Sequence, residues 1–317
     1  RTASLNRMRV GLQELTDNCI FMKSVYRILI LACLSVLPVS CWKEPAIEPE
    51  RQNDDLLFEF PQGTGEIDRE LQRIQEDFDT YVIYKDITSN LLNRTWINLY
   101  PGMTLEATPV PDNLVAHYVS FIEDNLFRYF DSARHRGLFP KYIFLVDGLH
   151  REENGVAKAQ IPVKTDGVDF WAVSFQSDDE GNLLKYDEKT MRISLVYQAI
   201  VSALDDGQID IPSSFYEGIN YKDPVYGDPN HEWHYQTRGF VKYVQPTFEY
   251  ETPATDITVI AMANSDFLMY VRKILFSTPD TFRTENEKYS LVMKRYQIVL
   301  NLFDEFGIDL NAVALGE

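Results

Sequence analysis

The hydrophobic pattern of this chain changes period near residue 186, and that change limits the fold more than any other feature. Before it, short β-rich runs sit among helical stretches. Residues 81–84 (YVIY), 142–146 (YIFLV) and 168–175 (VDFWAVSF) read as strands, with residues 155–163 as a further one. Ile67, Leu71 and Ile74 give residues 66–79 a helical face. Val115, Tyr118, Val119, Ile122, Leu126 and Tyr129 do the same for residues 111–130, with Asp112 as the expected cap. After residue 186 the apolar repeats are helical. Met191, Leu195, Val196, Ala199, Ile200, Ala203 and Leu204 form one stripe. Residues 212–217 open a short helix, 221–251 read as loop, and 254–263 and 266–276 read as helix. Thr284 and Glu287 predict a capping box for a last helix that turns Leu291, Val292, Val299, Leu302 and Phe306 inward and closes at Gly307. The expected fold is α+β: a mixed sheet with helices in the N-terminal half, then a mostly helical C-terminal half.

Residues 22–41 (MKSVYRILILACLSVLPVSC) stand apart. Lys23 and Arg27 precede a nearly continuous apolar run, and Ser40 precedes Cys41. This is the three-part layout of a secretory signal, and the run is shorter than the ~20 apolar residues of a membrane span. The Ser40–Cys41 junction resembles a bacterial lipobox, although Pro38 replaces the usual Leu or Val. That resemblance implies that Cys41 is lipidated and anchors the protein to the membrane, with the outer membrane as the expected location. Residues 1–21 precede a complete signal and read as an upstream extension outside the fold. Residues 42–65, rich in Glu, Pro and Asp and without a period, read as an acidic tether. Residues 66–317 are left for the folded domain.

The chain carries 30 basic and 48 acidic residues, a net charge of −18. Setting aside residues 1–41 leaves −21. Such a surface repels phosphate backbones and excludes nucleic acid as a partner. Cys19, Cys33 and Cys41 are the only cysteines, so the folded region has no disulfide, thiolate metal site or cysteine nucleophile. G-x-S-x-G, P-loop and G-x-G-x-x-G motifs are absent.

The motif His231-Glu232-Trp233-His234 is H-E-x-H. Its histidines would share a face on a helix, but residues 226–230 (YGDPN) before it are turn-rich and favour a loop. It is the alternative metal site. Tyr221, Tyr226, Trp233, Tyr235 and Tyr243 offer faces that stack on sugars or peptides, or else pack their own loop. His117 reads as a boundary residue, His135 as solvated, His150 as part of a turn, and residues 178–180 as an exposed acidic turn.

Several segments in order resemble one family. They are residues 66–86 (EIDRELQRIQEDFDTYVIYKD), 140–148 (PKYIFLVDG), 211–221 (IPSSFYEGINY), 237–241 (TRGFV) and 295–315 (RYQIVLNLFDEFGIDLNAVAL). Together they are similar to the zinc-binding metallopeptidases found as lipoproteins beside outer-membrane glycan importers, also described as substrate-import-associated zinc metallohydrolase lipoproteins. The resemblance spans residues 66–317 and implies a zincin-like fold. Family members carry H-E-x-x-H on a helix. Two imidazoles one turn apart bind zinc there and the Glu polarises the zinc-bound water; a Glu on a later helix is the third ligand. Counting back from Pro212 puts Ala199 and Ala203 at the histidine positions and Ile200 at the general base. Val259 falls at the third ligand. The frame is kept and the ligands are hydrocarbon, so the resemblance implies a zinc family member that needs no cofactor.

Three functions fit these residues. One is an inactive relative that binds a peptide, a glycan or an importer component in nutrient uptake. Another is an active hydrolase using a relocated metal or a carboxylate pair. The third is a purely structural envelope lipoprotein.

Overall fold

The YIFLV run lengthens into a 12-residue strand that forms the spine of the molecule. The computed structural model describes residues 56–94, 103–241 and 263–317. In chain order the elements are α1 (Glu66–Phe78), β1 (Tyr81–Ile83), α2 (Ser89–Leu92), β2 (Met103–Thr108), α3 (Val115–Asn125), α4 (Ser132–His135), β3 (Tyr142–Glu153), β4 (Val156–Gln160), β5 (Val163–Lys164), β6 (Phe170–Phe175), α5 (Glu188–Asp205), α6 (Ala263–Phe276), α7 (Pro279–Asn286), α8 (Ser290–Phe306) and α9 (Leu310–Leu315). Single 3-10 turns lie at Phe127–Tyr129 and Ser213–Phe215.

β3 changes partners halfway along. Residues Tyr142 to Asp147 pair in parallel with β6, and Tyr142 to Phe144 pair in parallel with β1. From Asp147, through Gly148 with φ +63°, the strand pairs antiparallel with β2, and from His150 with β4 as well. A positive φ costs least for glycine, and Gly148 sits at the handover between the two sets of neighbours. β5 closes the far edge, antiparallel to β6. The sheet is therefore mixed and the fold α+β, as the change of period predicts.

The continuous hydrophobicity of β3 and β6 has a direct cause: both faces of the sheet are covered. Tyr142, Phe144, Val146, Phe170 and Ala172 point to a small cluster with Phe58, Ile83 and Leu92. Ile143, Leu145, Trp171, Val173 and Phe175 point to the main core, shared with α1, α3 and the C-terminal helices. Each such fully buried side chain contributes about 1.5–3 kcal/mol. Among the described residues no helix is long and apolar enough to cross a membrane.

Several expectations need correction. Residues 58–65 belong to the folded unit rather than to a tether. Phe58 packs edge-on against Tyr142 and Phe144, and Gln62 Oε1 accepts hydrogen bonds from the Tyr84 and Lys85 amides. The signal segment, Cys41 and residues 42–55 of the tether lie outside the described residues. β2 was not expected; its MTLEAT sequence carries a weak alternation. Asp112 does not cap α3, which starts at Val115 after Leu114. Residues 212–217 make only a 3-10 turn. Thr284 lies inside α7, which Thr278 caps through the Thr281 amide, and a break at residues 287–289 precedes α8. Gly307, at φ +96°, does close α8.

Candidate functional site

α5 is the helix on which the metal-ligand frame expected from the resemblance falls. Asp187 fixes its start by accepting hydrogen bonds from the Thr190 amide (3.0 Å) and hydroxyl (2.8 Å). At its end the Gln208 and Ile209 amides both return to the Ala203 carbonyl. Its buried residues cover more than a narrow stripe, because it packs against α3, α6, α9 and β5. Ala199, Ile200 and Ala203 are each 0% exposed and lie in the main apolar core. Methyl and sec-butyl groups carry no lone pair, so these three residues do not fit a zinc ion. Val259 lies outside the described residues.

C-terminal to α5, residues 211–241 run as irregular chain held by one buried cation. Arg295, on the inward face of α8, is 1% exposed. Its Nε donates to the Phe215 carbonyl (2.9 Å) and its Nη1 to the Gly239 carbonyl (2.6 Å). Nη2 pairs with Asp266 of α6 and donates to the Tyr221 hydroxyl (3.3 Å). The guanidinium lies 3.9 Å from the centroid of Phe215 and 4.6 Å from that of Tyr270. Tyr221 in turn donates to Asp266 Oδ2 (2.6 Å), and Tyr270 to the Gly239 carbonyl (2.6 Å). Gly239 has φ +88°, and a Cβ there would come within 2.8 Å of Ile219, so only glycine fits. Burial pushes the phenols of Tyr221 and Tyr270 up. Burial also raises Asp266, with Arg295 and Tyr221 opposing that shift.

The aromatic residues singled out from the sequence do not form one platform. Tyr221 belongs to the interior, against Tyr216 and Phe240. Tyr226 stacks on His231, with centroids 3.7 Å apart, and Trp233 lies 6.4 Å from Tyr226 and 38% exposed. Tyr235 packs against His234 at 4.5 Å. Tyr243 lies outside the described residues. The H-E-x-H segment is loop, as its turn-rich approach predicts, pinned by backbone bonds between Tyr226 and both Trp233 and Tyr235. His231 Nδ1 accepts from the Trp233 amide, Glu232 is exposed, and His234 is buried. Burial pulls the His234 imidazole down, and its Nδ1 has no hydrogen-bond partner among the described residues. Among those residues no group of three or more His, Cys, Asp or Glu is placed to hold a metal.

Beside this segment lies a cavity of about 310 Å³ lined by Tyr235, Gln236, Val241, Lys273, Glu285 and Asn286. Lys273 of α6 pairs with Glu285 of α7 at 2.8 Å. Gln236 Nε2 donates to Asn286 Oδ1 (2.8 Å) and to the Glu285 carbonyl (3.3 Å). Asn286 is itself fixed by donating to the Phe282 carbonyl (2.8 Å). Tyr235 is the one sequence candidate that reaches this cavity. The other linings were missed because no local pattern joins a loop to two later helices. Arg295 left a trace: it falls in the buried series Val292, Arg295, Tyr296, Val299, Phe303, where a charged residue needs a partner.

Of the remaining histidines, His117 is half-buried at the core boundary as expected, whereas His135 and His150 depart from expectation. His135 is buried, accepting from the Asp131 amide at Nδ1 and bonded through Nε2 to the Phe306 carbonyl. His150 sits in β3 rather than in a turn. The acidic turn at residues 178–180 is exposed, as expected.

No protein-family model matches the chain, and no curated protein matches it. Among solved structures it is similar to a crystal structure from Bacteroides caccae described as a "putative zinc-binding metallo-peptidase". The two share 11% identity over 80% of this chain and 92% of that one, with a TM-score of 0.46.

Proposed function

We propose that this protein is a lipid-anchored binding protein of the bacterial outer membrane, built on a metallopeptidase frame that no longer holds zinc. The observation that carries the proposal is the state of α5. The positions that match the two histidines and the general base are Ala199, Ala203 and Ile200, all fully buried in apolar core. A ligand left unpaired in a closed interior is costly, whereas hydrocarbon there adds burial worth about 25 cal/mol per Å². Hydrocarbon at these three positions is consistent with keeping the fold without the metal. Binding then falls to the surface C-terminal to α5, where Tyr226, His231 and Trp233 form an outward aromatic group and Tyr235 borders a polar cavity. A glycan, a peptide or an importer component is the ligand, with Cys41 as the membrane attachment.

Metal analysis tests this directly. The protein, equilibrated with zinc and then dialysed, retains far less than one zinc per chain. One tightly held zinc per chain overturns the proposal, and its loss in a variant lacking His231, Glu232 and His234 would assign it to a relocated site.

A further inference from the structure

We infer that the cavity between residues 235–241, α6 and α7 is a binding site for a neutral, hydroxyl-rich ligand, a mono- or disaccharide unit. The inference rests on the binding-protein reading above and names the ligand class. Charge is the first consideration. Among the described residues the cavity lining has one cation, Lys273, and one anion, Glu285, and they pair with each other at 2.8 Å. An anionic ligand would leave Glu285 facing like charge and would approach a chain of net charge −18. A cationic or zwitterionic ligand gains only by breaking that pair. A neutral ligand requires neither.

Hydrogen-bonding capacity is the second consideration. An ammonium has three donors and a carboxylate about four acceptor sites, and one mutual pair uses one of each. Lys273 and Glu285 therefore offer unused donors and acceptors side by side, the arrangement that vicinal hydroxyls match. Gln236 and Asn286 add two amides. Both are held by defined bonds, Gln236 to Asn286 and Asn286 to the Phe282 carbonyl, so little ordering is needed on binding. Tyr235 supplies a ring at the wall for the apolar face of a pyranose. A purely apolar occupant would cut the remaining donors and acceptors of these four polar side chains off from water.

Size is the third. About 310 Å³ lies at the lower end of the range of ligand pockets, about 300–1,000 Å³. It fits one or two sugar rings and leaves little room for a longer chain.

The test follows the side-chain amide resonances of Gln236 and Asn286 in the isotope-labelled protein. The probes are D-glucose, D-galactose, D-mannose and N-acetylglucosamine, with D-glucuronate and D-glucosamine as charged counterparts. At least one neutral sugar shifts both amides along a saturable curve, and each charged counterpart binds more weakly. Gln236→Ala weakens the response about three- to tenfold, read at Asn286. A charged sugar binding as tightly as the neutral ones overturns the charge argument. No response at either amide with any neutral sugar up to about 100 mM overturns the site. Shifts confined to Tyr226 and Trp233 also overturn it, while leaving the binding-protein reading standing. Stoichiometric zinc overturns that reading without touching the cavity.

Discussion

Ala199, Ile200 and Ala203 on α5 are as dry as Arg295 and Asp266 between α8 and α6, yet the two regions are made of opposite materials. Around Ala199, Ile200 and Ala203 the interior is hydrocarbon; the charge that α5 does bury, Arg192, lies in its first turns and donates to the Val313 carbonyl and Asn125 Oδ1. Around Arg295, two charges, two phenols and two loop carbonyls are wholly or partly removed from water, and each is answered by another of the set. The α5 region is held by area, which is additive and tolerant of small repacking. The Arg295 region is held by completeness, so removing one member exposes the desolvation cost of the rest. A helix stripe can bury itself by its own periodicity. The irregular residues 213–241 have no ladder to satisfy their carbonyls, and they use a guanidinium reaching in from a distant helix.

The largest effect expected from this contrast is at Arg295. Arg295→Met leaves the Asp266 carboxylate buried without its cation and strips donors from the Phe215 and Gly239 carbonyls. The expected loss is about 3–5 kcal/mol, read as a fall in the urea midpoint. Adding Asp266→Leu recovers most of it, because the uncompensated charge goes too. A single-variant loss below about 1 kcal/mol would mean that residues 213–241 are not held from α8.

An intermediate effect is expected on the apolar side. Ala203→Leu adds three carbons where the side chain is already fully enclosed and costs about 1–3 kcal/mol by overpacking. If a void fronted this face, the larger side chain would instead be neutral or stabilising. That outcome would break the description of the Ala199–Ala203 stretch as a completed hydrocarbon surface.

The same contrast explains what could be read from the chain. The α5 stripe, the strands at β1, β3 and β6, and the close of α8 at Gly307 follow from local periods and a glycine, and they lie where the pattern puts them. Loop placement of the H-E-x-H segment follows from the turn-rich YGDPN before it. The Arg295 set joins Phe215, Tyr221, Gly239, Asp266 and Arg295 across 80 residues, and the cavity joins Gln236 to Lys273 and Glu285. No window of sequence contains such a set. The misread caps at Asp112 and Thr284 have a simpler cause. Each has the right residue type, but the chain reaches helical geometry only at Val115 in one case and has already reached it at Pro279 in the other. His135 read as solvated from its basic neighbours, although both its ring nitrogens are used in the interior.

The smallest effect lies where charges stay partly wet, at the contact of α1 with α3. Arg73 is ringed by Glu70, Asp77 (3.2 Å) and Glu123 of α3 (2.9 Å). Burial, and then the hydrogen bond and repulsion from Glu70, push Glu123 up to about 7, while Arg73 holds Glu70 below the ordinary carboxylate value. Between pH 4.5 and about 7 the folded protein thus holds a proton on Glu123 that the unfolded chain has released. Its contribution to stability is complete below 4.5 and is lost as pH rises through about 7. Glu70 acts oppositely: its contribution is present above 4.5 and fades as pH falls toward its lowered value. His135 and His234, both pulled down by burial, also act oppositely to Glu123, because their neutral forms favour the folded state more as pH rises toward 6.5. Glu123→Gln keeps the shape and removes one titration. The difference in urea midpoint between variant and parent should therefore grow in the variant's favour from pH 5 to pH 8. It should amount to less than about 1 kcal/mol, since solvent screens the cluster. A difference that stays flat across that range would show that Glu123 ionises in the fold as it does in the open chain.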